Sequence, residues 1–140
     1  MYPLTVGPLL RYDTVEAGVY HAFALVVTRH DAGIVADMLT PPSLYYAANH
    51  DEGTAFVAQG KPIYVYAEGA ERHVFWRFKI EVALGEAAQT ITYAVEGITQ
   101  PEEFVVPART ENFRWAGYSC NGFSSGTPTE EWGGADPLWK

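Results

Sequence analysis

The run from His73 to Leu84 constrains the fold of this chain more than any other part of it. Apolar side chains occupy every second position, at Val74, Trp76, Phe78, Ile80, Val82 and Leu84, and three of the positions between them carry the charged Arg77, Lys79 and Glu81. Because successive side chains of a β-strand point to opposite faces, this period predicts a strand with one buried face and one solvated face. Such half-buried strands are typical of antiparallel sheets.

Other runs show the same alternation. Val19 to Val27 places Val19, Phe23, Leu25 and Val27 on one face and the small Ala22 and Ala24 on the other. Thr90 to Glu96 aligns Ile91, Tyr93 and Val95, and its short distance from Leu84 predicts a hairpin between these two runs. Weaker strands are predicted at Leu9–Val15, Leu44–Ala47, Ala55–Ala58, Pro62–Ala67, Glu103–Val106 and Asn112–Ser119, with Gly, Pro and acidic turn residues between them.

The length of 140 residues suits one domain. Residues 29–40 fit either a loop or one helical turn, and no segment has the pattern of a good amphipathic helix. Seven to nine short strands in one domain therefore predict an all-β fold. We expect an antiparallel β-sandwich of the immunoglobulin or fibronectin type, with an irregular C-terminal tail.

The charge of the chain narrows its partners. Nine Lys and Arg against seventeen Asp and Glu give a net charge of −8, and no stretch is basic enough to neutralise phosphates, so we expect no nucleic-acid binding. The same charge repels an anionic membrane surface, and the longest apolar run, Ala22–Val27, is too short to span a bilayer. No secretory signal is visible at the start, which favours a cytoplasmic protein.

The single cysteine, Cys120, excludes an internal disulfide and a Cys-rich zinc site. It lies where a predicted strand runs into a Gly- and Ser-rich loop, which suits a metal or nucleophile site, while a lone cysteine is more often a small buried apolar residue. Adjacent carboxylates point to opposite faces of an extended chain, so they do not form an acid–base pair. The four histidines, His21, His30, His50 and His73, are scattered without metal-ligand spacing, and no catalytic residue is predicted.

Tyr64 and Tyr66 are the best candidates for an exposed aromatic surface. They share one face of a predicted strand, while Ile63 and Val65 share the other. Aromatic side chains on such a face form a platform for a ligand or a partner.

Three blocks of the sequence resemble the fungal branch of the PhoD-like metallophosphatases. They are Val6-Gly7-Pro8-Leu9-Leu10-Arg11-Tyr12-Asp13-Thr14, the stretch from Phe113-Arg114-Trp115 through Ser119-Cys120-Asn121-Gly122-Phe123-Ser124, and Glu131-Trp132-Gly133-Gly134-Ala135-Asp136-Pro137-Leu138-Trp139. The resemblance spans most of the chain, and the Ser-Cys-Asn-Gly-Phe-Ser block is its most specific part.

This resemblance implies an N-terminal β-sandwich followed by a calcineurin-like catalytic domain that hydrolyses phosphate mono- or diesters at a metal centre. It makes Cys120 a ligand to a transition metal, typically iron, with a second divalent metal as an option. It also implies that Asn121 and Gly122 shape the adjacent loop. The family's later motifs, which supply the other ligands, are not found up to Lys140.

Asp136 suits a helix N-cap and Pro137 suits the first helical position, so the local pattern fits the start of a further element and fits an ordinary frayed terminus equally well. The resemblance favours the further element. We therefore expect a β-sandwich domain over residues 1–118 and the start of a truncated metallophosphatase domain over residues 119–140.

Two functions stay open at this point. The first is the non-catalytic sandwich of a longer phosphoesterase, in which the metal and the phosphoester substrate belong to the full-length parent and none is expected in this chain alone. Exposed Trp132 and Trp139 would then favour self-association. The second is a stand-alone β-sandwich binding or interaction module whose ligand surface includes Tyr64 and Tyr66.

Overall fold

The computed structural model describes residues 2–31, 33, 39–49 and 55–112. These residues form eight strands and no helix, which confirms the all-β prediction and falls within the expected seven to nine strands. The strands are β1 (Leu4–Glu16), β2 (Val19–Asp31), β3 (Ser43–Ala48), β4 (Phe56–Gln59), β5 (Lys61–Glu68), β6 (Glu71–Ala83), β7 (Gln89–Val95) and β8 (Glu102–Val106).

The strands form two four-stranded antiparallel sheets. The first sheet has the order β1-β2-β6-β5, and the second has the order β4-β3-β7-β8. When the strands are lettered along the chain as in immunoglobulin domains, these orders become ABED and C′CFG. The predicted β-sandwich is therefore confirmed.

The alternation along β6 forms one side of the core. Val74, Trp76, Phe78 and Ile80 are almost wholly buried, as the sequence pattern predicts. Leu44, Ile91, Val95 and Val106 of the second sheet are buried in the same cluster. Each such side chain contributes about 1.5–3 kcal/mol when it leaves water, so this cluster is the main source of stability.

In β2 the inward face is the one with the small residues. Ala22 and Ala24 are fully buried, and they lie beside Ile80 and Phe78 of β6 respectively. Small side chains on β2 leave room for the large side chains of β6, because a close-packed core needs large and small neighbours. Phe23 and Leu25 consequently lie on the other side of the sheet.

The predicted hairpin between the runs at 73–84 and 90–96 is wrong. β6 pairs with β2 and β5, whereas β7 pairs with β3 and β8, so the two strands belong to different sheets. The connection from Leu84 onward crosses from one sheet to the other. The backbone N–H of Arg109 donates a hydrogen bond to the Gly85 carbonyl in this connection. An alternating pattern identifies a strand but does not identify the strand that it pairs with.

The first sheet is longer at its β1 edge than expected. β1 begins at Leu4, whereas the sequence predicts a start at Leu9. A two-residue turn at Ala17 and Gly18, both with positive φ, joins β1 to β2 and has the type I′ character common in hairpins. The predicted strand Asn112–Ser119 and most of the ambiguous segment 29–40 lie outside the described residues.

Candidate functional site

The face of the first sheet that points away from the core is also apolar, and we call it the outer face. Cross-strand registers place Val6, Val27, Phe75 and Tyr64 in one row across the four strands, and Leu9, Leu25, Arg77 and Lys61 in the next. Leu9 is 53% exposed and Tyr64 is 59% exposed, so this apolar surface is not covered by other described residues.

Tyr64 and Tyr66 lie together on the outer face, at the β5 edge. Tyr66 is 45% exposed, and its ring lies 6.2 Å from that of His73, while the ring of Tyr64 lies edge-on to Phe75 at 5.6 Å. The shared face of the two tyrosines agrees with the sequence pattern, and their role in binding stays a prediction.

Ile63 departs from that pattern. A register shift between Pro62 and Tyr64 interrupts the pairing of β5 with β6, and Ile63 is 47% exposed. It lines the same hollow as Leu25 and Arg77, on the side where the tyrosines lie, because a bulge places two consecutive residues opposite one partner residue. The expectation that Ile63 and Val65 share the face opposite the two tyrosines is therefore wrong for Ile63.

Two shallow hollows follow each other along β2 on the outer face. The first has a volume of about 550 Å³ and is lined by apolar side chains and by three charged ones, Arg11, Asp13 and Arg77; the apolar residues include Leu9, Phe23, Leu25 and Ile63. The second has a volume of about 320 Å³ and is lined by Val6, Val27, Tyr66, His73 and Phe75, among others. Together they form a continuous apolar surface, because Leu9 and Leu25 line both.

Charges of both signs lie on this face, and the registers place Glu16, Asp31, Glu71 and Glu81 there. The registers place Arg11, Arg29, Lys61, Arg77 and Lys79 there, which is five of the seven Lys and Arg residues that the structure describes. Lys79 pairs with Glu81 at 2.8 Å and Arg29 pairs with Glu71 at 3.5 Å. Both of these acidic partners are themselves on β6.

The other three cations lack acidic partners. Within the described part of the chain, Arg11, Lys61 and Arg77 form no ion pair. Arg77 lies directly opposite Lys61 across β5 and β6, and its guanidinium carbon lies 5.0 Å from the centre of the Phe23 ring. Like charges directly opposite each other destabilise a sheet, so the pair of Lys61 and Arg77 does not stabilise the fold.

A buried polar chain lies on the inner side of the same sheet. The Trp76 Nε1–H donates to Thr28 Oγ1 at 2.8 Å, and Thr28 Oγ1 lies 2.7 Å from His30 Nε2. Since the Thr28 hydroxyl accepts from Trp76, its own hydrogen is available to His30 Nε2, which favours the neutral imidazole with its proton on Nδ1. Burial lowers the pKa of His30 in the same direction, against the smaller opposing effect of Asp31.

Two of the histidines noted in the sequence, His21 and His73, have acidic partners. His21 Nδ1 lies 3.2 Å from Glu81 Oε1, and His73 Nε2 lies 3.7 Å from Glu71 Oε2, so both histidines contact carboxylates on β6. A hydrogen bond from Lys79 holds the pKa of Glu81 below its usual value. Among the described residues, no group of three or more His, Cys, Asp and Glu side chains is placed to hold a metal ion.

Cys120, Asn121 and Gly122 lie outside the described residues, as do His50, Trp132 and Trp139. The implied metal ligand therefore stays a prediction from sequence. Sequence reasoning missed Leu9, Arg11 and Arg77 as members of one surface. The sequence did contain a signal for this surface, because apolar residues occupy both faces of β2 and the core needs only one of them.

Comparison with known proteins shows that part of this chain is similar to part of a longer yeast protein. The uncharacterized protein YGR266W of Saccharomyces cerevisiae is 38% identical over 66 residues, which is 46% of this chain and 9% of that protein. The chain thus matches a small part of a much longer relative. No family model matches the sequence, and no solved structure matches it. Among the described residues there is no helix of the length and apolarity that crossing a membrane requires.

Proposed function

We propose that this chain is the N-terminal β-sandwich portion of a PhoD-like metal-dependent phosphoesterase, and that it is not catalytic by itself. The full-length parent would hydrolyse phosphate mono- or diesters. The observation that carries the proposal is the Ser119-Cys120-Asn121-Gly122-Phe123-Ser124 block placed after an immunoglobulin-like sandwich. The match to a small part of a much longer protein is compatible with a sandwich that belongs to a larger chain.

Cys120 is the one residue of this chain with a direct part in that chemistry. Its thiolate is a soft donor that suits iron or another transition metal, and the thiol loses its proton when it binds. A metal held there, with or without a second divalent ion, would supply Lewis-acid polarisation of the phosphoester and a bound hydroxide. Asn121 and Gly122 would shape the loop that presents the sulfur. One sulfur is not a complete ligand set, so the other ligands would come from the rest of the parent.

The proposal includes a cytoplasmic location, because a free thiol that binds a metal persists in a reducing compartment. It includes no nucleic-acid partner and no membrane partner. It also includes self-association through Trp132 and Trp139 when the tail is exposed.

A hydrolysis assay tests the inactivity of the chain. We expect the purified 140-residue protein, supplied in turn with iron, manganese and zinc, to leave p-nitrophenyl phosphate and bis-p-nitrophenyl phosphate uncleaved. Metal-dependent cleavage that disappears in Cys120→Ala would show that the chain is an enzyme by itself. Sequencing the source transcript tests whether the full-length protein is a phosphoesterase. A reading frame that continues into Gly-Gly-Asp and Asn-His motifs supports that proposal, and a frame without them contradicts it.

A second candidate function is a stand-alone binding or interaction module, and the outer face favours it. Monomeric proteins rarely leave a contiguous apolar surface of this kind uncovered unless it contacts something. If Tyr64 and Tyr66 belong to the contact, Tyr64→Ser with Tyr66→Ser will remove binding or self-association and leave the fold intact. No change in either property would remove the surface on which this candidate depends.

A further inference from the structure

We propose that the outer face of the first sheet binds an acidic segment of a partner protein that also carries aromatic or aliphatic side chains. The inference rests on the second candidate function, and it adds the chemical class of the partner. It does not depend on whether the parent chain hydrolyses phosphoesters.

The charge distribution gives the first argument. The outer face carries acidic residues as well as cations, but Glu71 and Glu81 already pair with Arg29 and Lys79. Asp13 lines the same hollow as Arg11 and Arg77 and forms an ion pair with neither. Arg11, Lys61 and Arg77 have no acidic partner among the described residues. A carboxylate arriving from another chain would pair with these cations and would relieve the repulsion between Lys61 and Arg77.

The apolar surface beside these cations gives the second argument. Leu9, Ile63 and Tyr64 are each about half exposed, and the hollows between them have room for side chains. Interfaces are enriched in exposed Tyr and Arg placed beside apolar neighbours, as they are on this face. An occupant therefore needs both carboxylates and apolar groups.

The layout of the face indicates an extended segment with a defined direction. The two hollows follow β2 from Phe23 to Val27, about 13 Å at the rise of a strand, which is the length of four or so extended residues. Arg11 lies opposite Phe23 at one end, and Arg77 and Lys61 lie in the neighbouring row with Leu25, whereas Tyr64 and Tyr66 lie toward the Val27 end. Acidic residues of the partner would contact the first end, and its aromatic or aliphatic residues would contact the second.

Other polyanions fit this face less well. A nucleic acid or an anionic membrane extends well beyond the face, so it would also meet the negative charge carried by the rest of the chain. A short protein segment covers a smaller area, which can be limited to the three cations without ion pairs and the apolar hollows beside them. The choice between these classes is an outcome of the experiment below.

The experiment uses the full 140-residue chain and a random copolymer of glutamate and tyrosine as the probe, with binding measured by calorimetry at low salt and at about 0.3 M NaCl. Poly-glutamate supplies the charge without rings, and a copolymer of lysine and tyrosine supplies rings with the opposite charge. Phosphatidylserine vesicles and a short DNA duplex represent the other two classes.

Two double variants test the face. Lys61→Gln with Arg77→Gln removes two unpaired cations, and Tyr64→Ser with Tyr66→Ser removes the rings. Arg29→Gln is the charge control, because Arg29 lies on the same face but already pairs with Glu71. Val57→Ser with Val105→Ser is the apolar control, because both side chains are exposed on strands of the second sheet. The near-ultraviolet circular dichroism of the chain reports whether each variant folds.

We expect the glutamate–tyrosine copolymer to bind, and each test variant to bind it about tenfold more weakly at low salt, while both controls bind like the parent. If the Tyr variant weakens binding but the charge variant does not, or if the lysine–tyrosine copolymer binds equally well, the acidic partner is wrong and the binding module survives. If neither copolymer binds, the acidic partner and the binding module are both wrong. Tighter binding of vesicles or DNA that the charge variant abolishes would overturn the protein segment in favour of that class.

Discussion

The inner and outer faces of the first sheet are both apolar, but only the inner face is built as a core. On the inner side, large residues of β6 such as Phe78 meet small residues of β2 such as Ala24, and the buried Thr28 has hydrogen-bond partners. On the outer side, Phe75 lies beside exposed Tyr64 and near cations without acidic partners. The difference shows that apolar composition alone does not identify a core, whereas complementary volumes and satisfied polar groups do.

The largest expected effect contrasts two phenylalanines of β6, one on each face of the sheet. Phe78 is fully buried, so Phe78→Ala should lower the free energy of unfolding by about 3–5 kcal/mol. Phe75 is only partly buried, so we expect Phe75→Ala to cost about 1 kcal/mol. Urea denaturation of both variants measures the difference. Equal losses would mean that the outer face is covered in solution as completely as the core.

The second effect contrasts two threonines. Thr28→Val removes the hydroxyl between Trp76 and His30 and leaves a buried donor and a buried acceptor unpaired, which should cost about 1–3 kcal/mol. Thr14→Val, at an exposed position of β1, should change stability by less than about 0.5 kcal/mol. Urea denaturation followed by tryptophan fluorescence also reports the environment of Trp76. A Thr28 loss as small as that of Thr14 would mean that the polar chain contributes no net stability.

The sequence predicts the inner face better than the outer face for a physical reason. The inward side of β6 follows from alternation, which is a local property, and Val74 to Leu84 are buried at every second position as expected. The hairpin from β6 to β7 was wrong because alternation does not specify a pairing partner. Two successive strands show the same alternation whether they pair within one sheet or lie in the two different sheets of a sandwich.

The outer face depends on contacts between residues that are distant in sequence. Tyr64 and Tyr66 were predicted to share a face because they are two residues apart. Leu9 and Ile63 line one hollow only because β1 and β5 both belong to the sheet that contains β2 and β6, and Ile63 turns outward only through the register shift in β5. Neither the strand order nor the bulge is visible in a single sequence.

A smaller effect is the pH dependence of stability that His30 causes on the inner face. The pKa of His30 is lowered in the folded state by burial, so the unfolded chain takes up a proton near its ordinary value of about 6.5 while the folded chain does not. Stability is therefore fully present above about pH 6.5 and falls as the pH falls below that value. Asp31 raises this pKa and His73 lowers it, so the folded value reflects both.

Urea denaturation between pH 8 and pH 5.5 measures that loss. His30→Gln should flatten the decline, since the glutamine amide does not titrate in this range. His21→Gln, on the outer face, is the comparison variant. A decline that His30→Gln leaves unchanged would assign the pH dependence to groups other than His30.

The smallest expected effect on stability falls on the two tyrosines of the outer face. Tyr64→Ser with Tyr66→Ser removes two exposed rings whose described ring contacts are with Phe75 and His73, so the free energy of unfolding should change by less than about 1 kcal/mol. The same variant should bind the glutamate–tyrosine copolymer about tenfold more weakly. A small stability change with a large binding change is the pattern that separates a binding face from a core. A loss of stability comparable to that of Phe78→Ala would make the tyrosines part of the core, and the contrast between the two faces would be lost.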